Sequence, residues 1–282
     1  MNIAIVGAGI FGMSASIELR GRNHNVTLFD QGSIPNPLAS STDVAKAIRR
    51  TNYLSDTPYI EMVERASEKW KEWSSYSAQP IYRQTGGLSQ YSDSEFPSGS
   101  AGYESFKYLN KERKGIRILS QEQVASRFPQ FSFSKIRKEH FVYDEWAGYL
   151  DSGLAMAVLK DIAIDIGIEI RENSAVSEVY DSHGKVSITV DGVTESFDRS
   201  IVSAGPWITR FAPQIENGIV ISRQDMAFFR PHDQTLFRHD MMPIWSIHPI
   251  EEGWYGFPLL ADGTVKIAMD LRSEEVTADV YR

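Results

Sequence analysis

The sequence predicts an α/β protein in which a parallel-sheet domain is interleaved with a second, β-rich domain. A strand, a glycine turn, a helix and a second strand follow one another within the first thirty residues. Short β-like pieces alternate with polar helical pieces over residues 80–146, and a β-meander pattern fills residues 176–199. With 282 residues, the chain is long enough to form two domains that each bury a core.

The N-terminal unit is the most strongly patterned part of the chain. Residues 2–6 read Asn-Ile-Ala-Ile-Val, which predicts a fully buried parallel strand. A glycine-rich turn follows at once, and residues 10–20 predict a helix. Residues 25–30 predict a second strand that ends in an acid, Asp30. This order is typical of the start of a βαβ unit.

The next segments alternate between loop and helix. Residues 31–44 are rich in Ser, Pro and Asn, which predicts a loop. Residues 58–76 predict a helix with an apolar stripe that we expect to pack in the core. The stripe consists of Ile60, Val63, Ala66, Trp70 and Trp73.

The second half of the chain returns to the parallel sheet before a final β-rich stretch. Asp151-Ser152 is expected to cap a helix that runs to about Ile166, and residues 168–171 predict a strand. Another buried strand is expected at residues 200–204. The β-rich sequence then continues through Leu271.

The glycine turn has the spacing of a phosphate-binding loop. Gly7 permits a tight turn, Gly9 lets the backbone approach a pyrophosphate, and Gly12 allows close packing of the helix. The helix N-terminus offers N–H groups and the positive end of its dipole to phosphates. Asp30 can accept hydrogen bonds from ribose hydroxyls and would repel a 2′-phosphate. The pattern predicts dinucleotide binding but does not separate FAD from NAD, and a coincidental glycine turn remains the alternative.

Composition excludes several classes of function. The net charge of −8 argues against nucleic acid and against an anionic membrane surface as partners. The absence of cysteine excludes disulfides, thiolate metal sites, a cysteine nucleophile and a cysteinyl link to a cofactor. It also fits a reducing compartment, so we expect a cytoplasmic protein. We expect no signal peptide before the strand that begins at Asn2, and no apolar run approaches the length of a membrane span.

The histidines and serines form no recognisable catalytic or metal motif. No pair of histidines has metal-ligand spacing, so we expect no metal and treat all six as structural or exposed. The GxSxG pattern of a serine nucleophile is absent. The six histidines are His24, His140, His183, His232, His239 and His248.

Four blocks resemble, in order, the FAD-dependent amine oxidase family that includes D-amino-acid oxidase, monomeric sarcosine oxidase and the fructosyl amino acid oxidases. The likeness is nearest to the sarcosine and fructosyl amino acid branch. The blocks are Ile3–Gly12, Ala39–Arg49, Val202–Trp207, and Gly253–Pro258 followed by Val265–Ala268. The resemblance implies a Rossmann-like FAD-binding domain of the glutathione-reductase type, interleaved with a β-rich substrate domain. The implied FAD domain comprises residues 1–84 and 147–216, and the substrate domain comprises residues 85–146 and 217–282.

The resemblance also implies which residues bind the cofactor. Ser41, Thr42 and Asp43 would lie near the pyrophosphate and the flavin ring. The bound FAD would be non-covalent, because the chain has no cysteine. The other implied cofactor residues are Gly7, Gly9, Ile10, Phe11, Gly12, Asp30, Val176, Ala204, Gly205 and Trp207.

Four residues are implied to carry the chemistry. Arg49 matches the arginine that grips the substrate carboxylate, a role that suits a bidentate guanidinium. Lys46 would be an active-site cation and Tyr255 an active-site tyrosine. Lys266 matches a lysine near flavin N5, where a positive charge favours electron transfer to oxygen.

The residues alone leave other interpretations of these cations open. Lys46, Arg49 and Arg50 could form a solvated basic patch or pair with acids. The resemblance favours an active-site role for Arg49. It leaves Arg50 as part of a solvated patch or of a pair with an acid. Lys266 could face outward from a strand.

The implied reaction is oxidation of a C–N bond in an amino acid or secondary amine to an imine, with oxygen as acceptor. Two alternatives remain: a dehydrogenase of the same fold that passes electrons to another carrier, and an inactive flavin-binding remnant. Relatives continue beyond Arg282 with a segment that contacts the flavin ring, and Asp270 stands where close relatives tend to carry a histidine. The sequence identifies neither the substrate nor the oligomeric state.

Overall fold

In a computed structural model, the chain folds into two compact units. The first unit comprises Met1–Val44, Ser152–Ser222 and Glu274–Arg282, and the second comprises Ala45–Asp151 and Arg223–Ser273. The structure describes residues 1–53, 58–92, 96–112, 114–132, 139–248, 253–270 and 274–278.

The described residues form helices and strands in mixed order. The helices are α1 (Ile10–Gly21), α2 (Tyr59–Trp73), α3 (Ala101–Lys111), α4 (Gln121–Arg127) and α5 (Ser152–Asp165). The strands are β1 (Asn2–Val6), β2 (Asn25–Phe29), β3 (Ala45–Ile48), β4 (Tyr82–Arg83), β5 (Gly87–Ser92), β6 (Ile116–Leu119), β7 (Glu139–Asp144), β8 (Gly148–Asp151), β9 (Glu169–Arg171), β10 (Val176–Ser182), β11 (Lys185–Val190), β12 (Val193–Phe197), β13 (Arg199–Val202), β14 (Met226–Phe229), β15 (Ile244–His248), β16 (Trp254–Gly256) and β17 (Val265–Met269).

The first unit is built on a parallel sheet with the strand order β13-β1-β2-β9. Four of the five residues in β1 and in β2 are buried, as expected for strands that are covered on both faces. A three-stranded antiparallel sheet, β10-β11-β12, supplies part of this cover. The rings of Phe29 and Phe197 meet edge to face at 6.0 Å between their centres.

The second unit contains a seven-stranded sheet with the order β14-β17-β16-β15-β5-β7-β6. Strands β15 and β5 pair in parallel, and the other neighbours in this sheet are antiparallel. A smaller antiparallel sheet has the order β3-β8-β4. Helix α2 buries Ile60, Trp70 and Trp73 of the predicted apolar stripe, whereas Val63 and Ala66 are half-buried.

Several sequence predictions are confirmed and others are corrected. The strand at residues 2–6 and the meander of β10 to β12 are present as predicted, and the strand expected at residues 25–30 is β2, which ends one residue earlier, at Phe29. Strands β3 and β6 were not predicted, because four-residue strands give too little periodicity to detect. Asp151 closes β8 rather than capping α5, and Ser152 begins the helix.

The expected buried strand at residues 200–204 is shorter and more open than predicted. It is β13, which ends at Val202 and alternates between exposed and half-buried residues. It pairs with β1 alone in its sheet, and an edge strand keeps part of its surface accessible. Leu271, where the β-rich stretch was expected to end, lies outside the described residues.

The implied domain division placed residues 45–84 in the same domain as the first 44 residues. In the structure they belong to the second unit. The reason is strand pairing: both β3 and β4 form ladders with β8. The assignment of these segments to a cofactor domain or a substrate domain stays a prediction.

A buried arginine connects four segments of the second unit. Arg50, just after β3, is only 2% exposed, and its Nη2 lies 2.5 Å from Oδ1 of Asp144 on β7. Its Nη1 donates to Glu64 on α2 at 2.8 Å, and its Nη2 also donates to the carbonyl of Lys114 before β6. Burial alone would lower the pKa of Arg50, but hydrogen bonds and charge attraction from Asp144 and Glu64 raise it above its usual value.

Replacing one member of this buried pair should destabilise the second unit strongly. Asp144→Asn leaves the guanidinium of Arg50 without its closest counter-charge, and we expect a loss of about 3–5 kcal/mol in the free energy of unfolding. Urea unfolding followed by tryptophan fluorescence measures this loss, since every tryptophan except Trp207 belongs to the second unit. The matched control is Glu145→Gln, which breaks a surface pair with Arg117 and should cost about 1 kcal/mol or less. Equal losses in the two variants would contradict this account.

The same network should make stability depend on pH in the acidic range. Burial would raise the pKa of Glu64, but hydrogen bonds from Arg50 and Lys114 outweigh it and lower the pKa below its ordinary value of 4.5. A carboxyl with a lowered pKa stabilises the fold above its unfolded pKa, and this stabilisation is lost as the pH falls through the lowered value.

We therefore expect the difference in unfolding free energy between the wild type and Glu64→Gln to be largest near neutral pH. It should shrink as the pH falls below 4.5, because the protonated glutamate then resembles glutamine. Thermal and urea unfolding over this range measure the difference. Glu68→Gln, an exposed change on the same helix, should show no such trend. A difference for Glu64→Gln that stays constant with pH would argue against the network.

Candidate functional site

The turn between β1 and α1 brings two backbone segments together too closely for side chains. Gly7 has a φ of +98°, a conformation that favours glycine, and a Cβ there would lie 2.5 Å from the carbonyl oxygen of Ser203. A Cβ on Gly12 would lie 1.9 Å from the carbonyl oxygen of Gly7. Ser203 Oγ donates to that same carbonyl at 2.9 Å. The strand, the turn and the helix are thus fixed by backbone contact.

The first turn of α1 has the chemistry of an anion site. Gly9 is the N-cap and supplies no capping side chain, and the first turn contains no acidic residue. The N–H groups of a first helical turn have no partner within the helix, and the helix dipole makes this end positive. Ser41 Oγ accepts from the Ile10 N–H at 2.9 Å, so the serine of the predicted flavin loop lies at this helix end.

Asp30 holds the glycine turn as well as facing the cavity. Its Oδ2 accepts from the Ala8 N–H at 2.8 Å, and its Oδ1 accepts from the Gly32 N–H and from Asn36 Nδ2, both at 2.9 Å. An ionised carboxylate offers about four acceptor positions, so about one remains for a ribose hydroxyl. Sequence reasoning missed Asn36. The prolines on either side of it, which favour a turn, were the available signal.

A cavity of about 550 Å³ adjoins this turn within the first unit. It is lined by most of the predicted cofactor residues. Those are Gly7, Gly9, Ile10, Phe11, Asp30, Ser41, Val176, Ala204, Gly205 and Trp207. Among the described residues, Gly12, Thr42 and Asp43 do not line it: Gly12 packs under the turn, and Thr42 and Asp43 continue the loop.

These residues fit the diphosphate and ribose of a dinucleotide. A Cβ on Gly9 would lie 3.2 Å from Ser41 Oγ and would occupy the space in front of the helix end. The donors there are backbone N–H groups, which suit phosphate oxygens, and the nearby acceptor is the carboxylate of Asp30, which suits hydroxyls.

A second cavity, of about 290 Å³, lies within the second unit. All four residues implied to carry the chemistry line it: Lys46, Arg49, Tyr255 and Lys266. Lys46 is exposed and Arg49 is half-buried. The cavity therefore gathers cationic side chains from two distant parts of the chain. Lys266 is hydrogen-bonded to Ala45, which lies 221 positions earlier in the sequence.

Lys266 is buried and does not face outward from its strand. Its side chain is 1% exposed, and its Nζ donates to the carbonyl oxygen of Ala45 at 3.0 Å. The same Nζ lies 5.0 Å from the centre of the Phe257 ring. The interpretation as a solvated strand position is therefore wrong.

Arg49 and Arg50 are adjacent in sequence but differ in environment. Arg49 donates to the carbonyl of Thr51, and its guanidinium lies 5.5 Å over the ring of Tyr53. Arg50 is buried in its ion pairs, so the solvated-patch interpretation is wrong for it and the acid-paired interpretation is confirmed. Asp144, which Arg50 holds, also lines the cavity.

One face of the seven-stranded sheet forms the floor of this cavity, and its side chains fall into rows across the strands. The first row contains Lys266, Phe257, Ile244 and Gly87, and the second contains Ala268, Tyr255, Ser246 and Ser89. Asp270 stands opposite Gly253 in a third row. Sequence reasoning did not single out Ser89 and Ser246, whose hydroxyls are hydrogen-bonded at 3.0 Å. Small polar residues in a strand give no distinctive signal.

The described residues contain neither a cluster of metal ligands nor a membrane-spanning helix. In the part of the chain that the structure describes, no three histidine or acidic side chains converge as metal ligands would. The side chain of His248 lies outside that part. Among the described helices, none has both the length and the apolar character needed to cross a membrane.

The chain is similar in sequence to two oxidases of known substrate class. L-saccharopine oxidase of Schizosaccharomyces pombe is 25% identical over 262 residues, which are 86% of this chain and 59% of that protein. N-methyl-L-tryptophan oxidase of Salmonella arizonae is 23% identical over 258 residues, 91% of this chain and 67% of that protein. The chain thus spans about three fifths to two thirds of the length of these relatives.

A solved structure shows the same fold. Glycine oxidase from Geobacillus kaustophilus superposes with a TM-score of 0.78 at 15% identity, covering 98% of this chain and 72% of that one. The family model described as FAD dependent oxidoreductase matches residues 2–280, nearly the whole sequence. FAD is the cofactor of this family, as the resemblance implied. The chain belongs to the FAD-dependent oxidoreductase family of D-amino-acid oxidase-like proteins.

Proposed function

We propose that this protein oxidises a C–N bond of an amino acid or N-substituted amino acid to an imine, with oxygen as the electron acceptor. The observation that carries the proposal is the cavity of the second unit, which gathers Lys46, Arg49, Tyr255 and Lys266. Such a site can bind a carboxylate beside an apolar wall. The relatives are named as oxidases of L-saccharopine and of N-methyl-L-tryptophan, both of which are N-substituted amino acids.

In this proposal the first unit binds FAD without a covalent link. The turn at Gly7 and Gly9 and the N-terminus of α1 hold the diphosphate, and Asp30 accepts from a ribose hydroxyl. FAD, when bound, supplies the two-electron oxidation of the C–N bond and passes the electrons to the acceptor. A cytoplasmic location, which the cysteine-free composition favours, is part of the proposal.

Arg49 binds and orients the substrate through its carboxylate. A guanidinium has five N–H donors in a fixed fork, and one of its nitrogens, Nη1, is held by the carbonyl of Thr51. Packing over the ring of Tyr53 limits the other torsions of the side chain. An arginine oriented in this way loses less freedom when it binds a carboxylate in two-point geometry.

The aromatic floor positions the rest of the substrate. The rings of Tyr255 and Phe257 meet nearly edge to face, 6.1 Å apart, and Phe257 also packs against Tyr149. These contacts leave the two rings little freedom to move. The substrate amine has to be neutral to release its electrons, so a protein base is not required once the neutral form is bound.

Lys266 supplies a fixed positive charge. Burial makes this charge effective, because little water is available to screen it. The hydrogen bond to the Ala45 carbonyl fixes its Nζ. A fixed cation stabilises negative charge that develops on oxygen as it accepts an electron, and we assign this role to Lys266.

FAD binding should depend on the glycine at the helix end. Gly9→Ala places a methyl group in front of the α1 N-terminus, and we expect the Kd for FAD to rise at least about tenfold. The measurement is fluorescence titration, with the melting temperature recorded with and without FAD. Gly21→Ala at the other end of the same helix meets no atom within 4 Å and should leave the Kd unchanged. Wild-type protein that neither binds saturating FAD nor gains melting temperature would remove the proposed function.

The role of Lys266 can be separated from substrate oxidation. Anaerobic addition of an N-methyl amino acid should bleach the absorbance of bound FAD, and oxygen should restore it with formation of hydrogen peroxide. In Lys266→Met, the substrate should bleach the FAD absorbance at the normal rate. Oxygen should restore that absorbance at least about tenfold more slowly in stopped-flow measurements, because the cation is lost.

The control for this variant is Lys69→Met, which removes an exposed lysine of the same unit. It should recover at the wild-type rate. Unchanged recovery in Lys266→Met would remove the proposed role of that lysine. FAD-loaded protein that no amino acid or N-methyl amino acid bleaches would overturn the reaction itself.

A further inference from the structure

The third row of the cavity floor carries a carboxylate that the proposed reaction does not use. Asp270 follows β17, and its backbone N–H donates to the carbonyl of Gly253 at 2.6 Å. The residue is exposed and lines the cavity. Within the described ranges, no hydrogen bond or ion pair engages its carboxylate. The backbone of Asp270 is therefore fixed while its charge is available to a ligand.

Three other charged residues that line the cavity, Asp144, Lys266 and Arg49, have assigned contacts or roles. Asp144 is held by the buried guanidinium of Arg50, and Lys266 donates to the Ala45 carbonyl. Arg49 is assigned to the substrate carboxylate in the proposed function. Of the two described acids that line this cavity, Asp144 and Asp270, only Asp270 has no ion pair with another described residue.

The register of β17 fixes the distance between Asp270 and the buried lysine. Alternate residues of a strand share a face, so Lys266, Ala268 and Asp270 lie on one face of the sheet, and Lys266 and Asp270 line the cavity. At about 3.3 Å per residue, the Cα atoms of Lys266 and Asp270 lie about 13 Å apart. The row of Tyr255 and Ser246 separates them. Lys266 and Asp270 are therefore two rows apart on the cavity floor.

This separation indicates which part of a substrate Asp270 contacts. A carboxylate next to the reacting amine would favour its protonated form, which cannot release electrons. A carboxylate at the opposite end of the cavity can instead pair with a second cation on the substrate without affecting the reacting nitrogen. Between Lys266 and Asp270, Tyr255 and Ser246 of the second row line the cavity.

We propose that Asp270 selects substrates that carry a second cationic group, so that the preferred substrates are amino acids or N-substituted amino acids with an additional ammonium or guanidinium. The inference rests on the proposed function, because it takes Arg49 as the carboxylate site. It adds a specificity determinant and a substrate class to that function.

Binding of unreactive ligands tests the proposal without relying on turnover. 6-Aminohexanoate has a carboxylate at one end and an ammonium at the other, and hexanoate lacks only the ammonium. Neither carries an amine next to its carboxylate. Calorimetric titration of each ligand into the FAD-loaded protein gives the ratio of their Kd values. The pair 4-aminobutanoate and butanoate repeats the comparison with a shorter distance between the carboxylate and the ammonium.

We expect the wild type to bind 6-aminohexanoate at least about tenfold more tightly than hexanoate. Asp270→Asn should bring this ratio close to one while leaving the Kd for hexanoate unchanged. Asp270→Lys should invert the ratio, because the new charge repels the ammonium. Added salt should reduce the wild-type ratio, since a pair at an exposed acid is screened.

Two controls separate the possible failures. Asp240→Asn removes an exposed carboxylate that does not line the cavity and should leave the ratio unchanged. Arg49→Met should weaken binding of both ligands equally, and a variant that binds both normally would contradict the proposed function rather than the role of Asp270. A wild-type ratio near one, or the same ratio in the wild type and in Asp270→Asn, would overturn the inference about Asp270.

Discussion

The ion pair between Arg50 and Asp144 is the interaction on which the second unit depends. It joins the segment after β3 to β7, and its links to Glu64 and Lys114 extend it to α2 and to the start of β6. Asp144 pairs in register with Gly87, a residue of the cavity floor. Because a buried charge is costly without its partner, this pair restricts how the strands around the cavity can be arranged.

The first unit depends on close backbone contact instead of charge. The turn at Gly7 packs directly against Gly12 and the backbone of Ser203, so the N-terminus of α1 has a fixed position at the end of β1. Asp30 and Asn36 then hold the turn from the side through hydrogen bonds. An anion site made of backbone N–H groups needs such rigidity, because its donors cannot reorient independently as side chains do.

The two constraints serve different parts of one proposed reaction. Fixed N–H groups suit a cofactor that stays bound, whereas the cavity of the second unit offers side chains that discriminate among substrates. Sheet register decides which side chains these are, since it places Lys266, Tyr255 and Asp270 in successive rows of one face. The proposed carboxylate site at Arg49 and the acid at Asp270 together give the cavity the polarity of a substrate that has two charged ends.

The sequence by itself determined the local features, namely the strand, the glycine turn and the helix around Gly9. These depend on neighbouring residues, whose preferences act over a few positions. Only the tertiary structure decided that Arg50 is buried in ion pairs while Arg49 lines a cavity, and that Asp270 has no partner among the described residues. Burial and pairing depend on segments far apart in the chain, and no local pattern encodes which of them will meet.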